Sequence, residues 1–255
     1  MAGNTGQPGA SVVSRAVAVL GAFDEAHPRL TLTTLAERAG LPLPTAYRLA
    51  RALCDQGMLD READGRYAVG QRLWRIGLLA PAQTGLREVA APFLQDLYAA
   101  TLATIHIAVR DGTTVLYLDR ISGRRSVPVV SRPGALLAMH ATGVGKVLLA
   151  HAPNDVRAAA LASPARFTPY TITAPERLAA QLDRIRADGY ATTAEEMTLG
   201  ACSVAVPIYR GDDVAAALGI VVPSLRRDKA RLVSALKVAA HGISRSLGSD
   251  RAAPQ

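Results

Sequence analysis

The stretch HATGVGK, at residues 140–146, has the glycines and the lysine of a phosphate-binding loop. Such a loop also needs a glycine five residues before its Gly-Lys pair and a serine or threonine after the lysine. His140 and Val147 occupy these two places, so the stretch does not predict a nucleotide site. The glycines instead predict a helix start whose amides, at Gly143 and Val144, can bind a small carboxylate. The alternative is that these glycines only allow close packing.

Other reactive side chains do not form a catalytic or metal-binding pattern. Cys202 with His106 or His140 would make a thiol nucleophile and its base, but nothing in the adjacent sequence indicates an activated thiol. Glu195 and Glu196 are adjacent, so they point to opposite faces of a strand or lie solvated in a loop. The five histidines have no partner four residues away. We therefore predict neither a metal site nor any cofactor.

The stretch GLPLPTAYRLARAL, at residues 40–53, indicates a different kind of chemistry. Its apolar residues recur at helical spacing, which predicts a helix over residues 45–56 with one face in a core. The side chains left facing outward or sideways are Thr45, Tyr47, Arg48 and Arg51. Short polar and arginine side chains near a helix N-terminus can reach base edges in the DNA major groove. The alternative is an ordinary surface helix with solvated arginines.

The elements around this helix complete the pattern of a winged helix-turn-helix. An amphipathic helix comes first, and a second helix, capped by Thr33 or Thr34, ends at Gly40. With Thr34 as the cap, Glu37 would complete a capping box. A β-hairpin follows the third helix, and Arg66 comes directly after its Asp-Gly turn. This order of elements favours DNA binding, with Arg66 along the phosphate backbone.

The rest of the chain alternates helices with period-two strands. Predicted helices cover residues 14–23, 70–79, 86–100, 141–152, 174–189 and 228–247, and predicted strands or hairpins cover 57–69, 103–121, 125–134 and 202–224. Helices before, between and after antiparallel hairpins predict an α+β fold. The predicted domains are a disordered tail over 1–10, a DNA-binding domain over 11–70, a linker helix over 71–84 and an effector-binding domain over 85–249.

Composition sets only broad limits. The chain has 255 residues and a net charge of +8, which is compatible with a nucleic-acid partner without being diagnostic. No apolar run approaches the ~20 residues of a membrane span, and the first residues lack the pattern of a secretion signal. Two cysteines are too few for a disulfide framework. We expect a cytoplasmic protein of two domains.

The motifs resemble those of the IclR-type transcriptional regulators over about residues 11–248. The matching stretches are SRAVAVL at 14–20, LTTLAERAGLPLPTAYRLARAL at 32–53, GRYAVGQRL at 65–73, MHATGVGKVLLA at 139–150, LDRIRADGYATTAEEMTLGACSVAVPI at 182–208 and ISRSLG at 243–248. The resemblance implies a winged helix that binds operator DNA, a linker helix and a C-terminal effector domain with a GAF- or PAS-like antiparallel sheet. It also implies a homodimer or a dimer of dimers that responds to a small metabolite, often an organic acid.

Carried over by position, the resemblance assigns two sets of residues. Its DNA-contacting pattern falls on Arg15, Thr45, Ala46, Tyr47, Arg48 and Arg66. Its effector pocket falls on Leu137, Gly143, Val144, Thr193, Ala201, Ser203 and Gly219. The family often has Lys-Ser at residues 43–44, where this chain has Leu-Pro, so a phosphate contact and a helix cap are missing. Some members have an acid in place of Thr193 and a serine in place of Gly219, so the pocket here is less polar and favours a larger, aromatic acid.

The predicted function is sequence-specific transcriptional regulation, by repression or activation, under control of an organic-acid effector. An apolar face at Leu73, Trp74, Leu78 and Leu79 predicts that two copies pair and read an inverted repeat. One alternative is a small-molecule hydrolase or transferase fused to a DNA-binding head, but no convergent acid, base and nucleophile support it. Another alternative is a DNA-binding scaffold that binds no effector.

Overall fold

The computed structural model describes residues 11–24, 26–77, 79, 81–123, 126–127 and 129–249, with the side chains of 81–84 and 249 left out. The chain divides into two compact units, of which the first ends at Thr84 and the second begins at Gly85. The tail predicted over residues 1–10 lies outside the described residues.

The first unit is a winged helix-turn-helix, as predicted. In chain order its elements are α1 (Val12–Leu20), β1 (Arg29–Leu30), α2 (Leu32–Ala39), α3 (Leu43–Asp55), β2 (Leu59–Arg61), β3 (Tyr67–Val69) and α4 (Gln71–Gly77). The three strands form an antiparallel sheet in the order β1-β3-β2. The short β1, which was not predicted, therefore makes the wing a three-stranded sheet.

The helix boundaries correct two predictions in this unit. The cap of α2 is Thr31, whose Oγ1 accepts a hydrogen bond from the Thr34 amide at 3.2 Å. Thr34 is therefore inside the helix, and the predicted capping box with Glu37 is wrong. Gly40 ends α2 in the left-handed conformation, with φ of 64°, as its position indicated. The next helix begins at Leu43, two residues before the predicted start, because proline is tolerated in a first helical turn.

The second unit is a six-stranded antiparallel sheet with helices on both faces. Its elements are α5 (Pro81–Thr101), β4 (Thr104–Asp111), β5 (Thr114–Ile121), β6 (Leu136–Ala138), a 3₁₀ turn (Met139–Ala141), α6 (Gly143–Ala150), α7 (Asn154–Ala162), α8 (Pro175–Asp188), β7 (Ala191–Ala194), β8 (Cys202–Arg210), β9 (Asp213–Val222) and α9 (Lys229–Ser249). The strand order is β6-β5-β4-β9-β8-β7. Helices α5 and α9 pack on one face of the sheet, and α6 and α8 contribute to the core on the other.

The α+β fold agrees with the prediction, but the strand predicted over residues 125–134 does not form. The described residues of that range contain no strand, and the edge of the sheet is β6, which pairs with β5. A local apolar pattern predicts a strand, but the strand also needs a partner to pair with. Among the helices of the described residues, none combines the length and apolar character that a membrane span needs.

Candidate functional site

The third helix presents most of the predicted DNA-reading side chains to solvent. Tyr47, Arg48 and Arg51 are exposed, and Thr45 is half-buried. Ala46 is fully buried, because it lies on the helix face that packs on α1 and α2. Its side chain is not available to DNA, which corrects the prediction for this residue.

The start of α3 offers fewer free amides than its sequence suggested. The amides of Thr45 and Ala46 both donate to the Pro42 carbonyl, at 2.9 and 3.0 Å. Pro44 has no N–H, and the cap residue makes no side-chain hydrogen bond. The amide of Leu43 is therefore the remaining donor that this first turn can offer to a phosphate.

The wing turn holds Arg66 against an acidic residue. Asp64 accepts the Arg66 amide at 3.0 Å and its Nε at 2.7 Å. These two hydrogen bonds, the backbone one first, lower the pKa of Asp64. A phosphate that approaches Arg66 must therefore compete with the Asp64 carboxylate. Arg15, in α1, is half-buried, and its Nε has no hydrogen-bond partner among the described residues.

The second unit contains a cavity that encloses about 400 Å³, including its solvent-open part. The predicted effector residues on its wall are Leu137, Gly143, Thr193, Ala201 and Ser203. Residues on the wall that were not predicted include His106, Tyr117, Ser131, Thr142, Met197 and Thr198. The fold thus brings together side chains from both ends of the sheet and from the start of α6.

Two predicted residues, Val144 and Gly219, lie behind the wall and do not line it. A Cβ on Gly219 would lie 2.8 Å from Val144 Cγ1 and 2.5 Å from His106 Nε2. Because real Cβ atoms do not come so close, the glycine is what lets α6 and the His106 ring approach β9. Gly219 was predicted to contact the effector, but it serves close packing instead. The side chain of Val144 does not reach the cavity, so only its backbone amide remains a candidate effector contact.

Hydrogen-bonding groups surround the start of α6. Thr142 caps this helix by accepting the Gly145 amide at 3.2 Å, which leaves Gly143 and Val144 without a protein partner for their amides in the described part of the chain. Thr193 Oγ1 and Ser203 Oγ are 2.6 Å apart. A Cβ added to Gly143 would lie 2.5 Å from Ser203 Oγ, so that hydroxyl lies close to the free amides. This arrangement suits an anion such as a carboxylate.

A second group of polar side chains comes from the middle strands. His106 lies edge-to-face against Tyr117, with ring centroids 5.0 Å apart. Burial lowers the pKa of His106 to about 3, so the imidazole is neutral at physiological pH. Burial also raises the pKa of Tyr117. The sequence did carry a signal for His106, since it alternates with two isoleucines at an inward position of a buried strand.

Lys146 and Glu196 form a buried ion pair beside the cavity. Their side chains are 0% and 5% exposed, so the solvated placement expected for Glu196 in a loop is wrong. Lys146 Nζ donates to Glu196 Oε1 at 2.6 Å, to Oε2 at 2.7 Å and to Gln181 Oε1 at 2.7 Å. Every residue of α6 is buried, so its lysine needs a buried acceptor. Burial lowers the pKa of Lys146, and Glu196 opposes that shift.

The surroundings of Cys202 do not activate it as a nucleophile. Burial raises the pKa of the half-buried Cys202, which disfavours a thiolate. His140 Nε2 hydrogen-bonds with the Ala165 carbonyl at 2.8 Å. Among the residues that the structure describes, no three histidine, cysteine or acidic side chains gather in a way that could hold a metal ion.

A winged helix-turn-helix followed by a sheet unit with a cavity is the organisation of a two-part transcriptional regulator. The model of the IclR helix-turn-helix domain matches residues 12–63, and that of the bacterial transcriptional regulator IclR C-terminal domain matches residues 80–245. The chain therefore belongs to the IclR family of transcriptional regulators, which confirms the resemblance seen in the motifs.

Relatives are similar over nearly the full chain. HTH-type transcriptional regulator XynR of Escherichia coli K12 is 32% identical over 243 residues, which are 92% of this chain and 96% of that protein. The glycerol operon regulatory protein of Streptomyces coelicolor is 32% identical over 246 residues, or 94% and 97%. The crystal structure of an IclR homologue from Microbacterium hydrocarbonoxydans, complexed with 4-hydroxybenzoate, is 34% identical. The superposition covers 95% of this chain and 100% of the homologue, with a TM-score of 0.90.

Proposed function

We propose that this protein binds operator DNA and that a small aromatic acid, bound in the cavity of the second unit, changes its operator affinity. The observation that carries this proposal is the pair of free amides at the start of α6, where Gly143 lines a cavity with an otherwise largely apolar wall. Such a site accepts one negative charge and an apolar body. The complex of the Microbacterium homologue with 4-hydroxybenzoate supports an acid of this type.

The proposed effector places its carboxylate on the amides of Gly143 and Val144, with the hydroxyl of Ser203 beside it. Thr193 orients that hydroxyl through their 2.6 Å hydrogen bond. The body of the acid packs between Leu137 and Ala201, which lie on the cavity wall. Among the residues that the structure describes, no arginine or lysine lies on that wall, so we propose that the helix amides supply the favourable electrostatics.

The proposed DNA surface uses the exposed side of α3 and the wing. Arg48 reads base edges, with Thr45, Tyr47 and Arg51 around it, because these side chains lie on the helix face turned to solvent. Arg66 would contact the phosphate backbone when it exchanges Asp64 for a phosphate, and Arg15 would add a contact from α1. The proposed place of action is the cytoplasm, where operator DNA lies.

We also propose that two copies form the functional unit, with two winged helices reading an inverted repeat. Trp74, Ile76 and Leu79 expose large apolar side chains on and just after α4. Leu73 is half-buried, and Leu78 lies outside the described residues. Sedimentation at micromolar concentration, with and without DNA, tests this state, and a monomer under both conditions contradicts it.

Calorimetry with 4-hydroxybenzoate tests the cavity. Gly143→Ala adds a methyl group where Ser203 Oγ lies, so we expect at least about a tenfold loss of affinity, with operator binding kept. Gly248→Ala is the matched control, since a Cβ at that helical glycine meets open space. Equal affinity in the parent and Gly143→Ala would place the site elsewhere. Chromatography of the acid after incubation addresses the enzyme alternative, because a sensor returns it unchanged.

A further inference from the structure

Two residues of the cavity wall each carry a buried polar atom that has no hydrogen-bond partner among the described residues. These atoms are His106 Nδ1 and Ser131 Oγ, and each of these residues is only 4% exposed. Buried polar atoms in folded proteins are nearly always hydrogen-bonded to protein or to another molecule. Two such atoms in residues of one cavity wall therefore indicate a polar group of a ligand.

The two atoms belong to the same end of the cavity. His106 lies on β4 and pairs in register with Arg120 on β5. Arg120 Nη1 donates to the Ser131 carbonyl at 2.6 Å, which places Ser131 on the β5 side of His106. The imidazole and the serine hydroxyl thus form a second polar group of the cavity, separate from Gly143 and Ser203.

An apolar span separates this end from the start of α6. Ser203 lies on β8 and His106 on β4, with β9 between them. Across β9, Ser203 is in register with Thr104, two residues from His106. Two strand spacings and this offset separate the backbones of Ser203 and His106 by about 12 Å. Val221, on β9, supplies the wall between the two ends. A ligand that satisfies both ends therefore carries two polar groups on opposite sides of an apolar body.

The chemistry of the second end selects the kind of group. The imidazole is neutral, and the nearby Arg120 is not on the cavity wall and donates to the Ser131 carbonyl. Neither group therefore puts a positive charge on that wall to offset the cost of burying a second carboxylate. A hydroxyl both donates and accepts, so it can pair with Nδ1 in either imidazole tautomer and also with the serine. A methyl, halogen or bare ring edge would leave both protein atoms unpaired.

We propose that His106 Nδ1 and Ser131 Oγ bind a hydroxyl at the end of the effector remote from its carboxylate. The effector is then a hydroxyaryl acid, and His106 determines the preference for it over the unsubstituted acid. This inference rests on the proposed effector cavity and names the ligand class that the cavity selects.

Calorimetry with benzoate, 4-hydroxybenzoate and 4-methoxybenzoate tests the assignment. The parent protein should bind 4-hydroxybenzoate about tenfold or more tightly than either other acid. Benzoate leaves both atoms unpaired, and the ether oxygen of 4-methoxybenzoate can accept a hydrogen bond but cannot donate one. His106→Phe keeps a ring but removes Nδ1, so 4-hydroxybenzoate should fall to the affinity of benzoate. His106→Asn restores a hydrogen-bonding atom near the place of Nδ1 and should recover part of the preference.

Two further variants complete the test. Ser131→Ala should reduce the preference for 4-hydroxybenzoate over benzoate without removing it. This variant tests the assignment even if His106→Phe does not fold. His151→Phe is the matched control, because His151 is another histidine with a buried, unpartnered nitrogen but lies off the cavity wall, against Tyr209. It should leave the preference unchanged.

The possible failures are distinguishable. If the parent binds benzoate and 4-hydroxybenzoate equally, or keeps its preference in both His106→Phe and Ser131→Ala, the hydroxyl assignment is wrong while the effector cavity stands. If the parent binds none of the three acids, the proposed binding of an aromatic acid in the cavity and the hydroxyl assignment are both wrong.

Discussion

Removing Lys146 alone should destabilise the second unit strongly. At 2.6 and 2.7 Å from the two carboxylate oxygens of Glu196, the ammonium gains about 6 kcal/mol of attraction at an effective dielectric constant of about 20. Burial of the two charges costs several kcal/mol per ion, so the intact pair contributes little net stability. Lys146→Met removes the attraction but leaves the carboxylate buried, and we expect a loss of about 3–5 kcal/mol.

The double variant separates this explanation from simple loss of packing. In Lys146→Met/Glu196→Leu neither charge remains, so the loss should be smaller than in Lys146→Met alone. Arg231→Met is the matched surface control, because its ion pair with Asp228 spans 3.4 Å between side chains that are 70% and 55% exposed. That change should have little effect on stability.

Hydrogen exchange of the β8 and β9 amides measures these differences within the second unit. Fluorescence of Trp74, the single tryptophan, which lies in the first unit, should not change. Two results would contradict the desolvation that the burial of the pair indicates. One is a loss of unfolding free energy below about 1 kcal/mol in Lys146→Met. The other is a loss in the double variant that equals the sum of the losses in Lys146→Met and Glu196→Leu.

Three more predictions concern DNA and pH. Arg48→Ala should cost about 1–3 kcal/mol per half-site on operator DNA and less on scrambled DNA; equal losses in fluorescence anisotropy would contradict base reading. Asp64→Asn should release Arg66, tighten binding to both DNAs and steepen the salt dependence by about one phosphate contact; an unchanged slope would show that the wing does not contact phosphate. Folding lowers the pKa of His106 to about 3 from 6.5, so the unfolded chain binds more protons below pH 6.5. As the pH falls from 7.5 to 5, the free energy of unfolding of the parent should fall by about 2 kcal/mol more than that of His106→Asn. Hydrogen exchange measures both free energies, and the same pH dependence in the two proteins would contradict the prediction.

Elements with strong periodicity were predicted well from the sequence. The i, i+3, i+4, i+7 spacing in α3 identified the face on which Ala46 and Ala50 are buried, and left Arg48 and Arg51 exposed. The β4–β5 and β8–β9 hairpins followed from alternation and their turn residues. The edge strand failed because pairing partners, rather than local pattern, decide where an edge lies.

The burial of charged side chains was not predictable in the same way. Lys146 and Glu196 are 50 residues apart, and only the packing of α6 against the sheet brings them together. An isolated lysine on a helix usually reaches solvent, so the local sequence does not indicate that Lys146 is buried. The cavity has the same limitation, because strand order rather than spacing brings His106 near the residues of β8.

The buried pair also holds a wall of the cavity, which leads to a last prediction. Glu196 lies in the segment between β7 and β8, and Met197, Thr198 and Ala201 of that segment line the cavity. Thr171 Oγ1 donates to the Glu196 carbonyl at 2.7 Å, so Lys146 and Thr171 hold the segment at one residue.

Lys146→Met should therefore loosen this wall and weaken the binding of every aryl acid by a similar factor. A shared wall contributes equally to benzoate and 4-hydroxybenzoate, so their affinity ratio should stay as in the parent while both affinities fall about tenfold. His106→Phe should do the reverse, with a changed ratio and little change for benzoate. Calorimetry on both variants with both acids measures the four affinities. If Lys146→Met alters the ratio as much as His106→Phe does, the segment from Glu195 to Ala201 contacts the hydroxyl, and the two ends of the cavity are not independent.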